Sequence, residues 1–260
     1  MRRLIAHQAG TLALQALDVG TLRARVVAVF PRHVYLDTSA GLLIVTPGDE
    51  PPGPLNLSFD DWPSLNVGDD VALEAGAARH WPSSLPRRDL SALWLDGLEA
   101  QARAIPHASA PLSSILERRD LPGGQKLAEG LRKADPVAAG QGARALAGLG
   151  PGLTPAGDDV LCGVLLALYV TQRATALCPE IVAASEGMTT ALSYAFIRAA
   201  GLGHAGAAWH DLLVGAEAPH AEDTAAVMAH GHSSGADTLA GFLWAARLTA
   251  PDAAADRPAG

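Results

Sequence analysis

Aromatic side chains are scarce in this chain, 5% of 260 residues, although hydrophobic residues of all kinds make up 49%. A core of that size with so few rings is built mainly from Ala, Leu and Val, and side chains that small let helices approach closely. There are two cysteines, Cys162 and Cys178, both among apolar residues and without the paired spacing of a metal site. They read as reduced core thiols of a cytoplasmic protein. Basic residues are also few, 19 against 27 acidic ones, for a net charge of −8. That excludes a general nucleic-acid binder, which needs a basic stripe to neutralise phosphates, but leaves room for a small anion held in one local site. The longest apolar run, Val160 to Val170, is too short to span a bilayer. Behind Arg2 and Arg3 only Leu4-Ile5-Ala6 is apolar before His7, so no signal-peptide core is expected either. His-Glu-x-x-His, Gly-x-Ser-x-Gly and a Walker loop are all absent.

Glycine and proline are concentrated instead. Residues 148–159 read Gly-Leu-Gly-Pro-Gly-Leu-Thr-Pro-Ala-Gly-Asp-Asp, directly ahead of a strongly apolar stretch. Such a loop feeding a helix start offers unpaired N–H donors and the positive end of a helix dipole. Asp158 and Asp159 in the first turn either cap the helix or face something bound there. The segment has an echo. Gly157-Asp158-Asp159-Val160-Leu161-Cys162-Gly163 and Gly235-Ala236-Asp237-Thr238-Leu239-Ala240-Gly241 both read Gly-x-Asp-x-Leu-x-Gly and both lead into apolar helices. Thr154 precedes the first copy and Ser233 and Ser234 the second. If the two starts point toward each other, their N–H groups, Asp159 and Asp237 converge on one pocket. That pocket suits a phosphate or carboxylate; alternatively Asp158, Asp159 and Asp237 collect Mg²⁺ or a similar hard cation. Ordinary capping, worth about 1 kcal/mol per residue, is the plain alternative. His232 is the best placed of the nine histidines, and Thr189, Thr190 and Ser193 put three hydroxyls within about one helical turn.

The rest of the chain divides by periodicity. Segments 23–30, 33–37, 42–46, 55–59 and 70–74 are rich in alternating or β-branched residues, and Thr38 to Gly41 marks a hairpin turn. From residue 89 the spacing becomes helical, beginning with Leu90, Leu93, Trp94, Leu98 and Ala102. Further helices are expected at 138–147, 158–176, 179–200, 207–214, 221–229 and 234–249, with loops at 106–114 and 122–124. The expected fold is therefore α+β. A small N-terminal β-barrel-like domain (1–85) precedes a larger, mostly α-helical domain (86–249) that carries the glycine loop, and a disordered tail (250–260) follows.

The 148–159 block resembles the hallmark of a bacterial family long without a known function, related to the H-type subunits of oxamate carbamoyltransferase from anaerobic allantoin breakdown. Thr189-Thr190-Ala191-Leu192-Ser193 and Gly231-His232-Ser233-Ser234-Gly235-Ala236-Asp237 resemble its two other blocks, in the same order. The resemblance covers roughly residues 20–248. Ala156 stands where a serine is common in the family. The resemblance implies a subunit of a multi-protein carbamoyltransferase binding carbamoyl phosphate, phosphate or a small ureido- or oxamate-type acid. Gly150, Gly152, Thr154 and Gly157 would supply donors; Asp158, Asp159 and Asp237 would position an amide nitrogen or a water, or hold a metal. Thr189, Thr190, Ser193, His232, Ser233 and Ser234 would complete the pocket. The Ser-Thr-Arg-Thr-Arg phosphate loop of ordinary carbamoyltransferases is absent, so a different fold, with residues from partner subunits, is implied. A metal-dependent hydrolase using the paired aspartates and a non-catalytic scaffold are the competing readings.

Overall fold

The computed structural model describes residues 1–17, 20–105, 123–214 and 217–251. The chain is α+β: an N-terminal eight-stranded sheet, curled into a half-barrel, precedes a helical region. It divides into two compact units, one of residues 1–84 with 204–207, the other of 85–203 with 208–260.

The first unit holds β1 (Arg2–Ile5), β2 (Gln8–Gly10), α1 (Thr11–Leu17), β3 (Leu22–Val29), β4 (Val34–Thr38), β5 (Gly41–Pro47), β6 (Asn56–Phe59), β7 (Asp70–Glu74) and β8 (Arg79–Trp81). Their order across the sheet is β1-β7-β3-β4-β5-β6-β2-β8. Alternation sets the face: in β3, Leu22, Ala24 and Val26 are buried while Arg23, Arg25 and Val27 are exposed. Leu36, Val45, Leu57 and Leu73 meet them in one core. The expected hairpin joins β4 to β5, with Thr38 opposite Gly41 and the Thr38 hydroxyl donating to the Gly41 carbonyl at 2.6 Å. Gly41 has φ +109°, which a side chain would resist. Strands β1, β2 and β8 and helix α1 have no counterpart in the periodicity. Each is short, and their alternation is too brief to stand out.

The second unit is helical: α2 (Ala92–Ala104), α3 (Gly124–Lys133), α4 (Pro136–Leu146), α5 (Ala156–Thr171), a 3₁₀ turn (Thr175–Leu177), α6 (Cys178–Ser185), α7 (Ala191–Gly201), α8 (Ala207–Leu213, its first residue in the other unit), α9 (Ala221–Met228) and α10 (Ser234–Leu248). In α2, Trp94, Leu98 and Ala102 are buried, but Leu93 is 81% exposed and not on the core face. Asp135 caps α4, accepting from the N–H groups of Val137 and Ala138 at 2.9 and 3.2 Å, with Pro136 in the first turn. Helix α5 is buried nearly all round and stops at Thr171, five residues before its expected end. Gln172 there takes φ +56°, a left-handed helix stop. The expected helix 179–200 is two helices. Gly187 at φ +69° breaks it, and Thr190 starts α7 by accepting from the Ser193 N–H at 3.1 Å. The expected loop at 106–114, residue 122 of the second loop and most of the expected disordered tail lie outside the described residues.

Candidate active site at the paired helix starts

Helices α5 and α10 pack through their glycines, and the packing is reciprocal. A methyl group on Gly163 would overlap the Thr238 carbonyl and the Phe242 amide of α10; one on Gly241 would overlap the Val160 carbonyl of α5. Val160 and Thr238 hold the same place in the two Gly-x-Asp-x-Leu-x-Gly copies. The leading glycines match as well: Gly157 sits against the Leu146 carbonyl at the end of α4, and Gly235 against the Val227 carbonyl in the last turn of α9. Each copy is thus a helix, a turn and a second helix, and the two second helices run side by side in the same direction with their N-termini together. Two positive dipole ends meet there.

The glycine loop between α4 and α5 is held from within. Asp158, 1% exposed, accepts the Gly148 N–H at 2.8 Å through one carboxylate oxygen and the Thr189 hydroxyl through the other. Thr190 and Ser193 donate to the Leu153 carbonyl at 2.8 and 3.3 Å. Gly148, Gly150 and Gly152 all have positive φ, +74°, +122° and +99°. At Gly148 a side chain would also strike the Met188 carbonyl. The loop's other backbone donors are left unpaired. The N–H groups of Gly150, Gly152, Leu153, Thr154 and Ala156 have no hydrogen-bond partner among the described residues.

On the α10 side, the Thr154 and Ser234 hydroxyls are 3.0 Å apart. Next to Ser234 lies Asp159, 7% exposed, whose Oδ2 is buried and has no hydrogen-bond partner among the described residues. Burial pushes its acid up to about 7, and the charges of Asp237 and Asp158 add to the rise; the Ser234 hydroxyl alone opposes it by favouring the ionised form. Asp237 is 1% exposed. Cys162, one turn after Asp159, is held as a thiol far above its ordinary range by burial and by both aspartates, so it is no nucleophile.

The structure therefore gathers Thr154, Asp159, Ser234 and Asp237 at the helix starts, with Gly150 and Gly152 in the loop beside them. Asp158, Thr189, Thr190 and Ser193 hold the loop itself, each Asp158 oxygen accepting one hydrogen bond there. Gly157 is a packing position whose N–H goes to the Leu149 carbonyl at 2.9 Å, so it offers no free donor. His232 lies in the exposed turn before α10, and neither it nor the Ser233 side chain makes a hydrogen bond among the described residues. Among those residues no group of three or more His, Cys, Asp or Glu is arranged to hold a metal ion. Asp158, Asp159 and Asp237 are not a cation cage, because Asp158 faces the loop rather than the other two. The Leu153 carbonyl and the Gly148 amide, which organise the loop, carry no mark in the sequence. The facing of Asp159 does: with Gly163 four residues on, it shares the α10-packed side of α5.

Residues 146–246 match the family model described as oxamate carbamoyltransferase subunit AllH. That segment is related to the H-type subunit. The matched span contains the glycine loop, the Thr189 block and the second motif copy, and it does not reach the N-terminal sheet, which the resemblance of the sequence had included. No solved structure matches the chain at a significant level. Among the described residues no helix is long and apolar enough to cross a membrane.

Proposed function

We propose that this chain is a subunit of a carbamoyltransferase complex and that the paired starts of α5 and α10 bind a small anionic acid or phosphate. The observation that carries the reading is the opposition of two kinds of group at one place. Unpaired loop N–H donors and two helix N-termini attract an anion. A buried carboxyl, Asp159, lies in the first turn of α5 with one oxygen unpartnered among the described residues. A simple anion satisfies only the first set. A carbamoyl or amide compound satisfies both, its carboxylate, phosphate or carbonyl oxygen taking the N–H groups and its –NH₂ donating to Asp159. Carbamoyl phosphate, ureido acids and oxamate share that polarity. Fixed donors there would also take up the oxyanion charge that develops when the carbamoyl carbon is attacked. The remaining subunits, which the match to a carbamoyltransferase subunit supports, would supply the second substrate or the closing wall.

Isothermal calorimetry of the chain with carbamoyl phosphate, phosphate and oxamate, with and without Mg²⁺ and repeated on Asp159→Ala, tests the reading. Binding that the substitution abolishes and Mg²⁺ leaves unchanged is expected. Mg²⁺-dependent binding would favour the hydrolase, and the absence of any binding would leave the motif as a helix-packing device.

A further inference from the structure

We propose that Thr190 and Ser193 are positioning residues of the anion site: by holding the Leu153 carbonyl they set the direction of the Thr154 N–H, a loop donor that α5 itself leaves unheld. This rests on the anion-binding reading above and deepens it by naming what aims a donor. A peptide unit is planar, and in the trans form its C=O and N–H point in opposite directions. No peptide bond among the described residues is cis. Each loop N–H is therefore aimed by whatever holds the carbonyl of the residue before it. The Leu153 carbonyl accepts the Thr190 hydroxyl at 2.8 Å and the Ser193 hydroxyl at 3.3 Å. Both hydroxyls stand at the start of α7, so the Thr154 N–H points away from that helix. The side chain of Thr154 is tied as well, its hydroxyl 3.0 Å from that of Ser234 on α10.

The other unpaired donors of the loop show what Thr154 would be without this hold. Gly150 is aimed by the Leu149 carbonyl, which accepts the Gly157 N–H at 2.9 Å. Ala156 is aimed by the Pro155 carbonyl, which accepts the N–H groups of Asp158 and Asp159 at 2.9 and 3.2 Å. These two belong to the frame of α5, and they are neighbours: a methyl group on Gly150 would stand 3.0 Å from the Ala156 nitrogen. The N–H groups of Gly152 and Leu153 follow the carbonyls of Pro151 and Gly152, which accept no hydrogen bond among the described residues. Those units are free to turn, and Thr154 would turn with them but for the two hydroxyls of α7. Ser193 is 1% exposed, and its own N–H is already taken by the Thr190 hydroxyl at 3.1 Å, so its side chain is not needed to start the helix. A second donor on one carbonyl narrows the angle through which the peptide unit can swing. A donor fixed in advance costs a bound oxyanion no reorganisation.

Amide NMR of the ¹⁵N-labelled full-length chain, with and without saturating oxamate or phosphate, tests this donor by donor. In the unaltered chain the Gly150, Thr154 and Ala156 amides are expected to shift on binding. In the double variant Thr190→Val with Ser193→Ala, the Thr154 shift is lost while those of Gly150 and Ala156 remain, and calorimetry shows oxamate bound about tenfold more weakly. Thr190→Ser, which keeps the hydroxyl, is expected to behave as the unaltered chain. Ser193→Ala alone leaves the cap of α7 in place and loses part of the Thr154 shift, so it carries the test if the double variant does not fold. A Thr154 shift that survives in the variants overturns the proposal. So does the loss of all three shifts together, which would mark a collapsed loop rather than one misdirected donor. Oxamate that binds the unaltered chain without moving the Thr154 amide also overturns it, while the site is kept. If neither oxamate nor phosphate binds the unaltered chain, the site reading falls and the proposal falls with it.

Discussion

Asp158 and Asp159 are adjacent in sequence and opposite in circumstance. Asp158 has both oxygens occupied by donors of the glycine loop and of the turn before α7. Removing its carboxylate orphans a backbone N–H and a threonine hydroxyl together. Asp158→Ala is expected to cost about 3 kcal/mol in urea unfolding and to expose the 148–155 loop to protease. Asp159 is a burden on stability that a purely structural residue would not impose. Its folded-state acid is raised from 3.8 to about 7, so the native chain binds the extra proton and the unfolded chain does not. The contribution is therefore fully present below about pH 4 and is lost as pH rises through about 7, on the order of 4 kcal/mol in all. Asp159→Asn is expected to flatten that slope and to raise the melting temperature at pH 8, as read by thermal unfolding across pH. A slope that survives the substitution would assign the titration to another group.

At the scale of elements, glycine does two different jobs within one motif. Gly163 and Gly241 let α5 and α10 touch backbone to backbone, and each would drive a methyl group into the other helix. Gly163→Ala is expected to destabilise by about 3 kcal/mol or more, since a helix pair cannot separate locally. Gly152 has open space where a Cβ would stand but a φ of +99°. Gly152→Ala is expected to cost about 1 kcal/mol, visible as a small shift in the urea midpoint. The contrast separates a close-packing glycine from a conformational one. It also accounts for the spacing of six residues within each copy. Six positions carry the chain from the contact with the preceding helix, at Gly157 or Gly235, to the contact with the partner helix, at Gly163 or Gly241.

At the scale of the whole chain, the first unit is not contiguous. Residues 204–207 belong with the sheet. His204 Nδ1 lies 2.9 Å from the Ser83 hydroxyl, the Ala205 N–H donates to the Ser83 carbonyl, and the Ala207 N–H donates to the Pro52 carbonyl. A fragment of residues 1–84 is expected to unfold at lower urea than the same unit in the intact chain, by about 2 kcal/mol. An unchanged midpoint would show that the returning segment adds nothing. The sequence by itself determined the α+β class, the main strands with their hairpin, the glycine loop and the duplicated motif, because each rests on local period or local turn chemistry. It also marked out Asp159 and Asp237 as equivalent positions. Only the tertiary structure decided which aspartate holds the loop and which is left facing the helix starts. Adjacent residues on a helix point about 100° apart, and their partners, Gly148 and Thr189 for one and Ser234 for the other, come from segments up to 75 residues away in the chain. The return of residues 204–207 to the sheet was likewise decided by pairing across more than a hundred residues, which no local pattern records.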